Sequence, residues 1–173
     1  PGMALKAVAS SDADKVHADW SGVKVMSAPG DLLDDPDIDL VVIATPNDTH
    51  FPLAKAALEA GLHVICEKPL CFTAEEAREL VDLSKKQNKI VGVTYGYAGY
   101  QMIQQARQMI ADGLLGEIRI VNMQFAHGFH NQAVELQAES TRWRVTPKFA
   151  GPSYVLGDLA THPLFVAETM APQ

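Results

Sequence analysis

Short apolar runs and one-sided apolar stripes alternate along most of the chain. Leu5–Ser10 (LKAVAS) is an apolar run that stops at the polar cluster Ser10-Ser11-Asp12, which predicts a buried strand, and Asp12–Trp20 predicts a short helix closed by Gly22. Val23–Met26 reads as a brief second strand, and Pro29–Asp34 as a turn or two of helix cut off by Asp35-Pro36. Leu40–Ala44 (LVVIA) is continuous, β-branched and uncharged, the pattern of a strand buried on both faces. In Phe51–Ala60, Leu53, Ala56, Ala57 and Ala60 recur at i, i+3, i+4 and i+7, which predicts an amphipathic helix with Pro52 in its first turn and Gly61 at its exit. His63–Cys66 returns as a strand. Thr73-x-x-Glu76 has the form of a capping box and opens a helix to about Asn88, with Ala77, Leu80, Val81 and Ser84 on one face. Ile90–Thr94 is a further strand and Tyr100–Asp112 a further helix, ending at Gly113. Ile118–Phe125 alternates imperfectly and predicts a strand with one wetter face, opening a different sheet.

This β-α-β-α order predicts an α/β fold, a parallel sheet with helices on both faces. Polar residues gather just after strands, at Ser10-Ser11, Thr45-Pro46-Asn47 and Glu67-Lys68. In open α/β sheets the ligand crevice lies at the carboxyl ends of the strands, so these clusters can converge on one site.

Composition narrows the classes. The chain has 173 residues, 47% hydrophobic and 20% charged, which fits one domain or a domain and part of another and excludes a disordered or fibrous chain. The formal charge is −7, with no long basic block, so nucleic acid is a poor partner. Only two cysteines occur, Cys66 and Cys71. Their C-x4-C spacing lacks the second pair a zinc site needs, so no metal is expected, and a reducing cytoplasm fits best. No apolar run approaches the ~18 residues of a membrane helix.

Three segments carry the chemistry: Ala44-Thr45-Pro46-Asn47-Asp48-Thr49-His50, Glu67-Lys68-Pro69 and Gly157-Asp158-Leu159-Ala160-Thr161-His162. In this order and spacing they resemble the glucose–fructose oxidoreductase / inositol dehydrogenase family, written Gfo/Idh/MocA. The resemblance implies an NAD(P)-dependent dehydrogenase that passes a hydride from a sugar or cyclic polyol hydroxyl, myo-inositol-like, to NAD or NADP. It also implies an N-terminal Rossmann domain, a C-terminal α/β domain with a large open sheet, and a homo-oligomeric parent enzyme. By family position, Ser10 reads the adenosine ribose, Thr45, Pro46, Asn47 and His50 lie along the cofactor, and Glu67 and Lys68 lie near the nicotinamide.

The last motif also stands on spacing. Residues i and i+4 share a helix face, so a helix over Val155–Met170 projects Asp158 and His162 into one pocket. A carboxylate beside an imidazole selects a tautomer and stabilises the imidazolium that a general base becomes. The reading is that His162 takes the hydroxyl proton, Asp158 orients it, and Lys68 stabilises the developing alkoxide charge. Trp143 and Arg144 either fill a domain boundary or line the substrate pocket.

Each assignment has a plainer rival. Lys68 also reads as an exposed loop lysine, His162 as a satisfied helix histidine, and Pro46 and Asn47 as ordinary turn residues. His50 and Ser10 serve as helix-capping or strand-end residues. His63, His127 and His130 have no partner identifiable from sequence and are read as structural.

The chain departs from the family pattern in lacking G-x-G-x-x-G between a first strand and first helix. The expectation is a piece of a longer enzyme: a partial dinucleotide-binding domain over residues 1–116, without its first strand, and the start of a catalytic domain over 117–173. Strand 1 is central in the order 3-2-1-4-5-6. Its loss separates the Leu5 strand from the Leu40 strand, leaving little dinucleotide affinity. Gly151-Pro152-Ser153-Tyr154 replaces a run of glycines, and Thr94-Tyr95-Gly96-Tyr97 lacks the family's arginine. Two rivals remain: an NAD-dependent glycosidase on the same scaffold, and a truncated, non-catalytic binding module.

Overall fold

Strand, helix and strand follow one another as the apolar pattern predicts. Ala7–Ala9 (β1) and Lys24–Met26 (β2) flank Ala13–Asp19 (α1), and Gly30–Leu33 (α2) follows. Leu40–Ile43 (β3), His50–Glu59 (α3), His63–Cys66 (β4), Ala74–Gln87 (α4) and Val91–Val93 (β5) continue the alternation. The computed structural model describes residues 2–126, 133, 142–153 and 156–171. His127, His130 and the start of the expected Val155–Met170 helix lie outside the described residues.

The chain forms two units, residues Pro1–Ala44, Thr49–Cys66 and Ala74–Gly92 in one, and Thr45–Asp48, Glu67–Thr73 and Val93–Gln173 in the other. In the first unit β1 pairs parallel with β2, and β3 pairs parallel with β4 in the register Leu40↔His63 to Ile43↔Cys66. The strands form a two-stranded sheet, β1-β2, and a three-stranded sheet, β3-β4-β5. The Leu5 and Leu40 strands are thus in separate sheets, as expected. His63, read as structural, accepts a hydrogen bond at Nδ1 from the Ile90 N–H at 3.1 Å, tying the starts of β4 and β5.

The helices are fixed by local chemistry. Asp12 caps α1 by accepting from the Lys15 N–H at 2.9 Å, as a short side-chain acceptor does for an otherwise orphan donor. Helix α3 ends at Gly61, whose φ of +78° suits a residue without Cβ, and the Leu62 N–H reaches back to the Ala57 carbonyl at 2.9 Å. In α4 that role falls to Asn88, at φ +51°, and the Lys89 N–H bonds the Ser84 carbonyl at 2.9 Å.

Four expectations are corrected. The buried stripe of α3 is His50, Ala54, Ala57 and Leu58, with Ala60 exposed. The same helical spacing is available one residue along, where it buries the large Leu58 instead of a terminal alanine. In α4 Leu80 is buried while Val81 is exposed; α4 packs on α3, and successive positions lie about 100° apart round a helix, so a packed face that takes Leu80 leaves Val81 out. In β3 Val41 and Ile43 are buried but Val42 is 66% exposed. Helix α3 packs on β3, β4 and α4, and side chains alternate across a strand, so Val42 stands on the other face. Finally, residues 118–126 form no strand, and Ile120 is 86% exposed. No ladder partner lies beside them among the described residues, and an alternating pattern without a neighbour makes no sheet.

In the second unit Gly96–Gly99 is a tight turn, followed by Gln101–Ala111 (α5), a single turn at Trp143–Val145 and Pro147–Ala150 (α6). Leu156–Ala160 is a wide π-helical turn leading into Thr161–Met170 (α7). The segment expected to be helical over Val155–Met170 is thus π-helical over Leu156–Ala160 and α-helical over Thr161–Met170. Pro163 has no N–H for the Leu159 carbonyl and its ring crowds that carbonyl, so the preceding turn opens. Helices α5 and α7 pack together.

Candidate active site

The second unit gathers the tips of strands and the start of α7 around an open cleft of ≈ 710 Å³ lined in part by Lys68, Thr94, Tyr97, Phe125, Asp158 and His162. Lys68 comes from the loop after β4, where the Lys68–Pro69 peptide is cis. Asp158 comes from the π-helical turn and His162 from the first turn of α7. Two residue types predicted to act together are joined directly. The Lys68 ammonium donates to Asp158 Oδ1 and, at 2.9 Å, to the Asp158 carbonyl oxygen. Both side chains are largely shielded, at 16% and 13% exposure, so their attraction is weakly screened by water. The Asp158 carboxylate was expected to orient His162; in this arrangement it holds the lysine.

His162 is set among aromatic rings. Tyr97 meets it edge to face at 4.7 Å between centroids, Phe125 lies at 5.5 Å, and Tyr95 at 6.2 Å. Tyr95 in turn stacks on Phe165 at 4.3 Å. Such edge and offset geometries are the favourable ones for aromatic pairs. Burial pushes the Tyr95 phenol above its ordinary 10.0, against the opposing effect of its hydrogen bond with Thr161, so the ring that packs beside His162 stays neutral at physiological pH.

Arg144 also lines the cleft, with its guanidinium 4.4 Å from the Trp143 ring centroid; Trp143 supports the arginine from behind. Glu67 also lines the cleft and accepts the Lys68 backbone N–H at 3.3 Å. The cleft therefore carries Lys68 and Arg144 against Glu67 and Asp158, a balanced set of charges.

The other sequence-predicted residues are placed differently. Asn47 is buried at 6% exposure, and its Nδ2 donates to the Ala150 carbonyl at 3.3 Å. Thr45 and Pro46 precede it in the same loop of the second unit. Ser10 and His50 belong to the first unit. Ser10 Oγ accepts the Asp12 N–H at 3.1 Å, ahead of α1, and His50 is fully buried at the start of α3. Thr94, Tyr95, Tyr97 and Phe125 were missed. The signal for the first three was present, since Thr94-Tyr95-Gly96-Tyr97 follows a strand tip just as the three recognised clusters do.

Parallel strands joined by helical crossovers, with polar loops leaving their carboxyl ends, define a Rossmann-type α/β protein. Residues 1–95 match the GFO_IDH_MocA oxidoreductase family, described as an NAD-binding Rossmann fold, and residues 103–172 match the GFO/IDH/MocA C-terminal domain. The chain belongs to the GFO/IDH/MocA oxidoreductase family, as its motifs predict. It is 52% identical over 137 residues to the uncharacterized oxidoreductase YfiI of Bacillus subtilis, covering 79% of this chain and 35% of that one. A solved inositol dehydrogenase homolog from Azotobacter vinelandii, complexed with NAD+, is 63% identical, with a TM-score of 0.77 over 83% of this chain and 37% of the other. A solved inositol dehydrogenase homolog from Azotobacter vinelandii complexed with NADH and myo-inositol is 59% identical, with a TM-score of 0.73, covering 84% and 36%. The chain thus spans little more than a third of the length of these proteins.

The residues fit a nicotinamide dinucleotide. Asp48 Oδ1, in the loop after β3, and Thr94 Oγ1, after β5, are buried oxygens with no hydrogen-bond partner among the described residues. Buried polar atoms normally have partners, and ribose hydroxyls or a carboxamide are suited to these two. Among the described residues no cluster of three or more His, Cys, Asp or Glu could hold a metal ion, and no helix is long and apolar enough to cross a membrane.

Proposed function

We propose that the protein is an NAD(P)-dependent dehydrogenase that oxidises a hydroxyl of a neutral cyclic polyol or sugar, with a myo-inositol-like ring as the first candidate. The observation that carries this reading is the convergence of the Lys68–Asp158 pair and His162 on one aromatic-walled cleft. The nicotinamide, when bound, supplies the hydride acceptor. The chain's own residues supply the rest. His162 removes the proton of the reacting hydroxyl. The Lys68 ammonium stabilises negative charge on that oxygen, and Asp158 keeps the ammonium in place. Tyr97 and Phe125 offer flat apolar surface to the C–H face of a ring, and the balanced charges of the cleft favour an uncharged substrate. The loops Thr45–Asp48 and Glu67–Lys68 lie along the cofactor.

Support comes from the NADH and myo-inositol complex of the Azotobacter vinelandii homolog and from the family to which the chain belongs. The test is to incubate the whole protein that carries this chain with NAD+ or NADP+ and either myo-inositol or an aryl glycoside. Free reduced nicotinamide formed with the polyol is the expected result. Release of sugar from the glycoside with no net reduced nicotinamide assigns the glycosidase reaction instead.

A further inference from the structure

Three separated segments of the second unit are held together by contacts distant in sequence. Asn47, in the loop after β3, is buried, and its amide bonds the Ala150 carbonyl across 103 positions of sequence. That carbonyl is at the C-terminal end of α6, where a helix leaves its carbonyls without partners of its own. The next residue, Gly151, is buried at φ +88°, and a Cβ built there would stand 2.6 Å from the Phe72 ring. Phe72 belongs to the Glu67–Thr73 segment that carries Lys68. Farther along, the Gly157 N–H donates to the Ser153 carbonyl at 2.7 Å, which ties the Gly151 side of the chain to the turn that carries Asp158. The contacts therefore run from Asn47 through Ala150 and Gly151 to Phe72, four residues after Lys68, and to Gly157, the residue before Asp158.

We infer that Asn47 and Gly151 form a brace that sets the position of the Lys68–Asp158 pair from the loop that lies along the cofactor. The inference rests on the dehydrogenase reading. Asn47 is a positioning residue, its amide turned inward to Ala150, and its loop meets the cofactor through other groups. Gly151 is required because any side chain there would displace Phe72, and with it the segment that holds Lys68. The brace makes a specific demand on kinetics: its loss misplaces the groups that act on the substrate oxygen and leaves cofactor affinity in place.

The experiment uses the whole enzyme carrying this chain. In Asn47→Ala, the dissociation constant for NADH, read by fluorescence titration, stays within about threefold of wild type, while kcat with myo-inositol at saturating NAD+ falls roughly tenfold to a hundredfold, the scale that misplacement of reacting groups produces. Weakened NADH binding with kcat preserved makes Asn47 a cofactor ligand and overturns the brace. No change in either, or equal loss in both, overturns it too. If Asn47→Ala does not fold, Gly151→Ala carries the same question: kcat falls with NADH affinity retained, and adding Phe72→Leu restores the part due to the ring contact, while the strain of a Cβ at φ +88° stays. A Phe72→Leu partner that restores nothing contradicts the brace. A wild-type enzyme that reduces no nicotinamide with any polyol refutes the dehydrogenase reading and the brace together; turnover in wild type matched by Asn47→Ala refutes the brace alone.

Discussion

The two units are built by different means. The first is regular: parallel ladders between β1 and β2 and between β3 and β4, amphipathic α3 and α4, and a core of Val41, Ile43, Ala54, Ala57, Leu58, Val64 and Leu80. The second holds the cleft on a cis-proline loop, tight turns, a single helical turn and a π-helical turn. Its decisive contacts are polar and distant in sequence, Lys68 with Asp158 and Asn47 with Ala150. Apolar periodicity builds the first unit, while in the second long-range polar pairs join the α5–α7 packing and the aromatic rings around His162. Substitutions should therefore separate cleanly into those that change stability and those that change chemistry.

The largest effect is expected in the cleft. His162→Ala removes the proposed general base and should lower kcat by roughly 10²–10⁴-fold, measured as reduced nicotinamide formed at steady state, with the unfolding midpoint little changed. Full turnover in this variant would take the base role from His162. Leu58→Ala tests the other unit. Its side chain is completely buried, and truncation should cost about 2–5 kcal/mol of stability in urea unfolding, with kcat preserved in the molecules that remain folded. Equal loss of kcat and stability would break the proposed division. Asp12→Ala removes the cap that accepts the Lys15 N–H and should cost about 1 kcal/mol by the same measurement.

The smallest effect is a pH dependence on the surface of the first unit. The hydrogen bond and charge of Glu79 hold Lys55 above its ordinary 10.5, through a contact of 2.6 Å. A group whose pKa is raised on folding contributes fully below the unfolded value and loses that contribution as pH rises through the folded one. Lys55→Met should therefore be slightly less stable than wild type at neutral pH, with the difference vanishing well above 10.5. Because both side chains are partly exposed, at 37% and 48%, the neutral-pH difference should also shrink in high salt.

What was legible in the sequence follows the same division. The alternation of β1 through β5 with their helices could be read because burial imposes a repeat, and the errors there are small shifts of face. Ala60 and Val81 were placed inside because a repeat alone does not rank a terminal alanine against Leu58, or a position next to Leu80 against Leu80 itself. Val42 was placed inside because an apolar run does not show whether both faces of its sheet are covered. The run 118–125 alternated without a partner to pair with, and pairing is not a local property. In the second unit Lys68, Asp158 and His162 were found by motif and spacing, but the partner of Asp158 was not. Its carboxylate is 90 positions from Lys68, and no local rule chooses between that ammonium and the imidazole nearby. Asn47 looked like any turn residue, since nothing local marks its amide as the partner of Ala150. The aromatic setting of His162 was missed for the same reason: Tyr95, Tyr97 and Phe125 reach it only once the chain has folded.

The central claim is that one cleft takes a proton from a ring hydroxyl while the hydrogen on the same carbon leaves as hydride. The most direct measurement uses myo-inositol carrying deuterium on its ring carbons, incubated with NAD+ and the whole protein, followed by mass analysis of the nicotinamide. Direct hydride transfer puts one deuterium on each reduced nicotinamide formed, at a rate slower than with unlabelled substrate. Reduced nicotinamide without deuterium, or deuterium lost to water with no reduction, would contradict it.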